Sequence, residues 1–280
     1  MSAPTAAQAM AAAAARLRAA GVPDPARDAR VLLAHAASVD AARITLIAPE
    51  EIAPEIAERF EHLIALRAVR VPVSHLVGSR AFYGRDFKVS RDVLDPRPET
   101  ETLIEAALSE SFERLLDLGT GSGCILVTLL AERMESRGVG LDISEVACLQ
   151  ASANAVLHGV EARAEILKSN WFAAAEGRFD LIVANPPYLA EAEMALVAPE
   201  LRLHEPELAL TDGGDGLSAY RVIASEAQGY LTPTGRVLTE IGWQQGADVR
   251  AIFEAAGWAR IEVLQDLDGR DRVLCADTPA

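Results

Sequence analysis

Cysteine is scarce in this chain: Cys124, Cys148 and Cys275 stand apart, and no Cys-x-x-Cys pair occurs in its 280 residues. Nor do His35, His62, His75, His158 and His204 show metal-ligand spacing. These absences exclude a disulfide frame and a structural zinc module, so no metal is expected, and they fit a reducing cytoplasm. No apolar run of the roughly 20 residues that a membrane-spanning helix needs occurs without a charge. The Ala-rich start, Met10 to Ala20, carries Arg16 and Arg18 and has no basic region ahead of it. It reads as an amphipathic helix rather than a leader. A basic surplus is also missing. Arginines and acids balance up to residue 75, so the whole net charge of −15 falls beyond it. A chain that grips phosphate backbones normally shows a basic face. No direct nucleic-acid partner and no membrane partner are therefore expected, and the acidity serves solubility.

What is present is enough apolar residue, 50% of the chain, for two domains. Residues 1–75 read as a small helical bundle. Asp24-Pro25 is an N-cap followed by proline at the first helical position, with Ala29, Leu32, Leu33 and Ala36 on one face. Pro54 opens another helix with Ile56, Phe60, Leu63 and Ile64 on one stripe. Residues 76–98 read as a connector containing a hairpin around Gly84-Arg85. From Glu99 the chain alternates strand and helix. Strands are predicted near 114–118, 138–142, 163–168, 179–184, 235–241, 259–265 and 271–276. Helices are predicted near 99–109, 122–134, 145–157, 216–230 and 245–256. This is an α/β pattern: a mostly parallel seven-stranded sheet with helices on both faces over residues 99–280. The last two strands are joined too tightly, through Asp268-Gly269, for a helical crossover and should pair antiparallel.

Two loops carry the chemistry. Asp117-Leu118-Gly119-Thr120-Gly121-Ser122-Gly123 lies between a strand and a helix. Glycines let a backbone turn tightly under a ligand, and the helix N-terminus offers free N–H groups to an anion. The glycine spacing is shorter than that of a dinucleotide fingerprint and suits a methionine moiety, its ammonium met by Asp117. Such a loop alone also serves as a plain tight turn or a nucleotide site. Asp142, at the end of the next strand, can accept both hydroxyls of a ribose. Asn170 and Trp171 follow the third strand, where Trp171 can pack on adenine and Asn170 can accept from its amino group.

The second loop, Asn185-Pro186-Pro187-Tyr188, follows the apolar run Phe179 to Ala184. An amide nitrogen is a poor nucleophile because its lone pair is delocalised. The Asn185 side-chain oxygen and the Pro186 carbonyl can take both N–H bonds and turn that lone pair toward a methyl donor. Consecutive prolines stiffen the turn, and Tyr188 offers an aromatic face. The two loops together point to methyl transfer from S-adenosylmethionine to an amide or exocyclic amine nitrogen. Asp212-Gly213-Gly214-Asp215-Gly216 lacks calcium-loop spacing and reads as a turn into the next helix.

At these residues the chain resembles the bacterial release-factor glutamine N5-methyltransferases. The resemblance rests on Arg70-Val71-Pro72-Val73-Ser74-His75-Leu76-Val77-Gly78, on Phe82 to Val89, and on Arg97-Pro98-Glu99-Thr100-Glu101. It continues through Asn170-Trp171-Phe172, Asn185 to Tyr188, Glu205-Pro206 and Gly242-Trp243-Gln244-Gln245-Gly246, in order. It implies a helical substrate-binding domain and a class I methyltransferase domain, with S-adenosylmethionine as donor. The acceptor it implies is the glutamine of the Gly-Gly-Gln loop in class-one peptide chain release factors. Cofactor contacts then fall on Gly119 to Gly123, Asp142, Trp171 and Asn185, and substrate contacts on Asn185 to Tyr188. A cytoplasmic monomer is expected. Two positions depart from the family pattern: Asp95 replaces an apolar residue, and Asn170 replaces a common acid. The alternatives are a DNA adenine-N6 methyltransferase, for which no basic target-recognition segment is seen, and a non-enzymatic partner-binding module that kept the fold.

Overall fold

The computed structural model describes residues 4–279. Two compact units are resolved; the first ends at Ser79 and also takes in Ala198–His204, and the second is Arg80–Val197 with Glu205–Ala280. Within residues 99–280, which the sequence pattern reads as one domain, the short segment Ala198–His204 groups with the first unit.

The first unit is helical: α1 (Ala6–Ala19), α2 (Pro25–Ala37), α3 (Ile44–Ile47), α4 (Pro54–Ala68) and α5 (Val73–Val77). Thr5 opens α1 through a capping box with Gln8, and the Asp24 carboxylate accepts from the Arg27 amide to open α2. The expected stripes meet in one core of Leu17, Leu32, Leu33, Ile44, Phe60 and Ile64. Each such side chain contributes about 1.5–3 kcal/mol by leaving water. One buried charge sits beside that core. Arg67 is 5% exposed. It donates to Asp28 Oδ2 at 2.7 Å, to Glu200 Oε1 at 3.0 Å and to the Val71 carbonyl. Arg70 donates to the other oxygen of Glu200. Glu200 lies on the short insert from the later sequence, so these two arginines explain why that insert joins the helices.

The second unit opens within the first strand of a hairpin, β1 (Ser79–Phe82) and β2 (Arg85–Lys88). Its turn is Tyr83-Gly84, one residue earlier than the sequence suggests. Both residues have positive φ, 48° and 71°, as a two-residue turn matching the strand twist requires. Then follow α6 (Glu101–Leu108), β3 (Arg114–Leu118), α7 (Cys124–Glu132), β4 (Arg137–Asp142), α8 (Glu145–Leu157), β5 (Ala164–Lys168) and β6 (Phe179–Ala184). After α9 (Pro199–His204), which belongs to the first unit, come α10 (Ser218–Glu226), β7 (Leu231–Glu240), α11 (Gly246–Ala255), β8 (Ala259–Gln265) and β9 (Asp271–Asp277). β7 starts earlier than the 235–241 predicted, and α10 ends earlier, giving way to a 3-10 turn at Ala227–Tyr230.

The strands form one sheet in the order β5-β4-β3-β6-β7-β9-β8. It is parallel except for β9, which runs antiparallel to both β7 and β8. Alternate residues feed opposite cores. Leu115, Leu181, Val183 and Leu238 face one, with Leu103, Leu126 and Leu129 from the helices. Leu116, Ile182, Val237 and Leu274 face the other, with Tyr220, Ile223 and Phe253. Burial on both faces is why β6 reads as an unbroken apolar run. β3 lies between β4 and β6, so the chain leaves β3 in one direction and returns on its other side. Ligand clefts in such sheets open at that reversal, beyond the carboxyl ends of the strands. Among the described residues no helix is long and apolar enough to cross a membrane.

Candidate active site

One cleft opens at that reversal. Gly119, Thr120, Gly121 and Ser122 line it from the β3–α7 loop, Asp142 from the end of β4, Asn170 and Trp171 from beyond β5, and Asn185 and Pro187 from beyond β6. The structure thus brings nine of the sequence-derived residues to one cleft. Asp117, Gly123, Pro186 and Tyr188 do not line it.

The loop after β3 is held from several sides. Gly119, Gly121 and Gly123 take φ of 70°, 55° and 78°, a region other residues enter at a cost. The Gly119 and Thr120 amides both donate to the Leu141 carbonyl, at 2.8 and 3.0 Å. Asn154 donates to the Ser122 carbonyl at 2.8 Å. Asp117 works from behind. It is fully buried, and its Oδ2 accepts from the Thr120 hydroxyl at 2.7 Å. Burial pushes its carboxyl up to about 7, against the opposing effect of Thr120. Its position makes it a brace for the loop rather than part of the cleft wall, a role that its place in the sequence does not suggest.

Asp142 has a double role. Its Oδ2 accepts from the Gly121 amide at 2.9 Å and its Oδ1 from the Ser144 amide at 2.8 Å. Burial raises its carboxyl, and these amides pull the other way. A carboxylate oxygen has two lone pairs, so each still has room for one more donor. A pair of vicinal hydroxyls fits that remaining capacity. Beyond β5, Trp171 is held at φ 47°, an uncommon backbone for a bulky residue. Ser169 supports it by donating its hydroxyl to the Trp171 carbonyl at 2.7 Å and accepting from the Ala174 amide.

Asn185 follows β6 directly and is joined to residues to which the sequence analysis gave no role in the site. Its Nδ2 donates to Thr100 Oγ1 at 3.2 Å. The Thr100 hydroxyl donates to Glu240 Oε2 at 2.6 Å. The Tyr188 hydroxyl reaches the other oxygen of Glu240 at 3.4 Å. Tyr188 therefore packs inward against the second core, with burial raising its phenol strongly, instead of offering its ring to the cleft. The Tyr188 carbonyl accepts from Gln245 Nε2 at 2.8 Å. Glu240 is 1% exposed, and burial pushes its carboxyl up to about 7. An acid closing the apolar run Val237-Leu238 at a strand's carboxyl end was the one signal that could have found it.

The cleft is also lined by residues 92–97, Thr100, Pro206, Leu208 and Ala209. There Arg97 forms an ion pair with Glu205. Asp212 closes the next turn by accepting from the Gly214, Gly216 and Ser218 amides, as expected of a turn into a helix. Cys124 is buried in the first core, and burial pushes its thiol up to about 12, away from the thiolate form.

Known proteins match both parts of the chain. Residues 8–78 match the family described as the PrmC N-terminal domain, and residues 89–241 match the methyltransferase small domain. A release factor glutamine methyltransferase of Cereibacter sphaeroides is 58% identical over 98% of this chain and 99% of its own length. One from Rhodospirillum rubrum is 43% identical over 93% of this chain and 81% of its own length. Among solved structures, a methyltransferase from Pyrococcus furiosus shares the fold, with a TM-score of 0.55 at 16% identity over 71% of this chain and 92% of that one. The chain belongs to the release factor glutamine methyltransferase family.

Proposed function

We propose that this enzyme methylates the side-chain amide nitrogen of the glutamine in the Gly-Gly-Gln motif of class-one peptide chain release factors, with S-adenosylmethionine as donor. The observation that carries the reading is that Asn185 shares one cleft with the glycine loop and Asp142. When bound, the donor supplies an electrophilic methyl group on a sulfonium. Asp142 would hold the ribose hydroxyls, the backbone of Gly119 to Gly123 the methionine end, and Asn170 with Trp171 the adenine. Asn185 Oδ1 would accept one N–H bond of the incoming amide, and the Pro186 carbonyl, set back between the cleft-lining Asn185 and Pro187, would accept the other, turning the lone pair toward the methyl. Pro187 would bound the flat group on one side, and Tyr188 would keep the turn in place from beneath. The amide proton can leave to water after transfer, so no general base is needed. The helical unit would help hold the release factor, and the enzyme would act as a cytoplasmic monomer without touching nucleic acid.

The test uses purified protein, labelled donor and release factor. Incorporation should vanish when the acceptor glutamine is replaced by alanine in the factor; incorporation that survives would exclude the reading. Two variants separate the roles. Asp142→Ala should chiefly weaken donor binding. Asn185→Ala should lower kcat by about 100- to 1,000-fold, the typical effect of removing one oriented hydrogen-bonding group from the reacting centre.

A further inference from the structure

We infer that Thr100 and Glu240 are positioning residues that fix which way round the Asn185 amide sits, and through it the direction in which an acceptor amide is held. The inference rests on the function proposed above.

An asparagine amide has nearly the same shape with its oxygen and nitrogen exchanged, so shape alone cannot orient it. Its partners must. A hydroxyl carries one proton. Thr100 gives that proton to Glu240 Oε2 at 2.6 Å, because an ionised carboxylate has none to donate. The Thr100 oxygen can then only accept, so the nitrogen of Asn185 must face it. Oδ1 is left as the atom able to accept from a ligand in the cleft. Thr100 and Glu240 are each 1% exposed, so water does not substitute for either. The anchor is firm: the Tyr220 hydroxyl donates to the Glu240 backbone carbonyl at 2.9 Å.

A proton on Glu240 reverses the logic. The neutral acid can donate to Thr100 Oγ1. Thr100 can then donate to Asn185 Oδ1, and the turned amide presents N–H groups to an acceptor that also brings N–H groups. Donor faces donor, and the amide is not held. The ionised acid is therefore the productive form. The groups acting on it are Thr100 and Glu99 from the turn before α6, Tyr188 from the turn after β6, and Arg272 from β9. Arg272 and the Thr100 and Tyr188 hydroxyls favour the charged form; burial and Glu99 oppose it.

The experiment combines kinetics with a readout that needs no methyl transfer. Thr100→Val keeps the side-chain shape and removes the proton. It should lower kcat about 100-fold, the scale of a misheld reacting group, while donor affinity stays within about 2-fold. Thr100→Ser should restore most of kcat. In the parent enzyme the log of kcat should fall with acid below about pH 7, and Glu240→Gln should abolish that limb. Independently, the side-chain NH2 resonances of Asn185, followed by 15N spectroscopy in the resting enzyme from acid to alkaline pH, should titrate with Glu240 and stop doing so in Glu240→Gln. Parental kcat in Thr100→Val, failure of Thr100→Ser to restore it, or Asn185 resonances that ignore pH would each overturn the inference. If the parent enzyme left release factor unmethylated while those resonances titrated, the function reading would fail and the orientation relay would stand.

Discussion

Gly216 offers a sharp test of how tightly the Asn185–Tyr188 turn is held. It takes φ of +74°, and a Cβ there would lie 2.3 Å from the Tyr188 carbonyl oxygen and 3.0 Å from the Ala190 nitrogen. Both are backbone atoms, so no side chain can swing aside. Ordinary contact begins at 3.4 Å. In Gly216→Ala the backbone at Tyr188 must therefore retreat by roughly 1 Å, the kind of misplacement that costs about 100-fold in rate. The retreat also strains the Gln245 bond to that carbonyl. Alanine in the left-handed region adds a conformational cost of about 1–2 kcal/mol. A control isolates the collision: Gly213 takes φ of +71°, and a Cβ there meets nothing within 4 Å. Gly213→Ala should show the conformational cost in denaturant unfolding and keep parental turnover. Gly216→Ala should drop about 100-fold in single-turnover methyl transfer, with donor affinity by calorimetry little changed. Equal turnover in the two variants would refute the argument that the turn is set by this contact.

Two further outcomes follow from buried charge. Arg67→Ala strips Asp28 of a buried partner and leaves Glu200 with Arg70 alone. It should cost about 3–5 kcal/mol in unfolding free energy, with Arg67→Lys recovering only part because an ammonium cannot bridge the same groups; an unchanged denaturation midpoint would sink the claim. Asp117 is held with its carboxyl raised from 3.8 to about 7, so the folded state binds its proton more tightly than the unfolded chain. Its contribution to stability is complete below the unfolded value and is lost as pH rises through about 7. Asp117→Asn should therefore gain in melting temperature relative to the parent as pH rises across that window, and a constant difference would contradict the assignment.

The residues that line the cleft were legible where local chemistry reports on structure. The glycines after β3 signal a tight turn, an acid at the end of β4 signals a strand's carboxyl edge, and consecutive prolines signal a stiff turn after β6. Partnerships across the chain were not legible. Thr100 lies in a segment that reads as the start of a helix and Glu240 in one that reads as an ordinary strand end, and neither suggests the other as a partner. Only folding brings their side chains to 2.6 Å. Tyr188 illustrates the same limit. Its aromatic ring suggests contact with a flat ligand, yet the Glu240 carboxylate beneath it draws the hydroxyl inward. The hairpin turn was displaced by one residue because Tyr83, not an obvious candidate, accepts a positive φ there.

Glu200 and its two arginines have a consequence for dissecting the molecule. The polypeptide passes between the two units three times, after Ser79, after Val197 and after His204. A cut at any one passage leaves the two units still joined through the others. A fragment beginning at Arg80 would keep α9 but lose Arg67 and Arg70, stranding a carboxylate and a short helix without the side chains they pack on. A self-sufficient catalytic fragment needs a second excision, with a short linker bridging Val197 to Glu205.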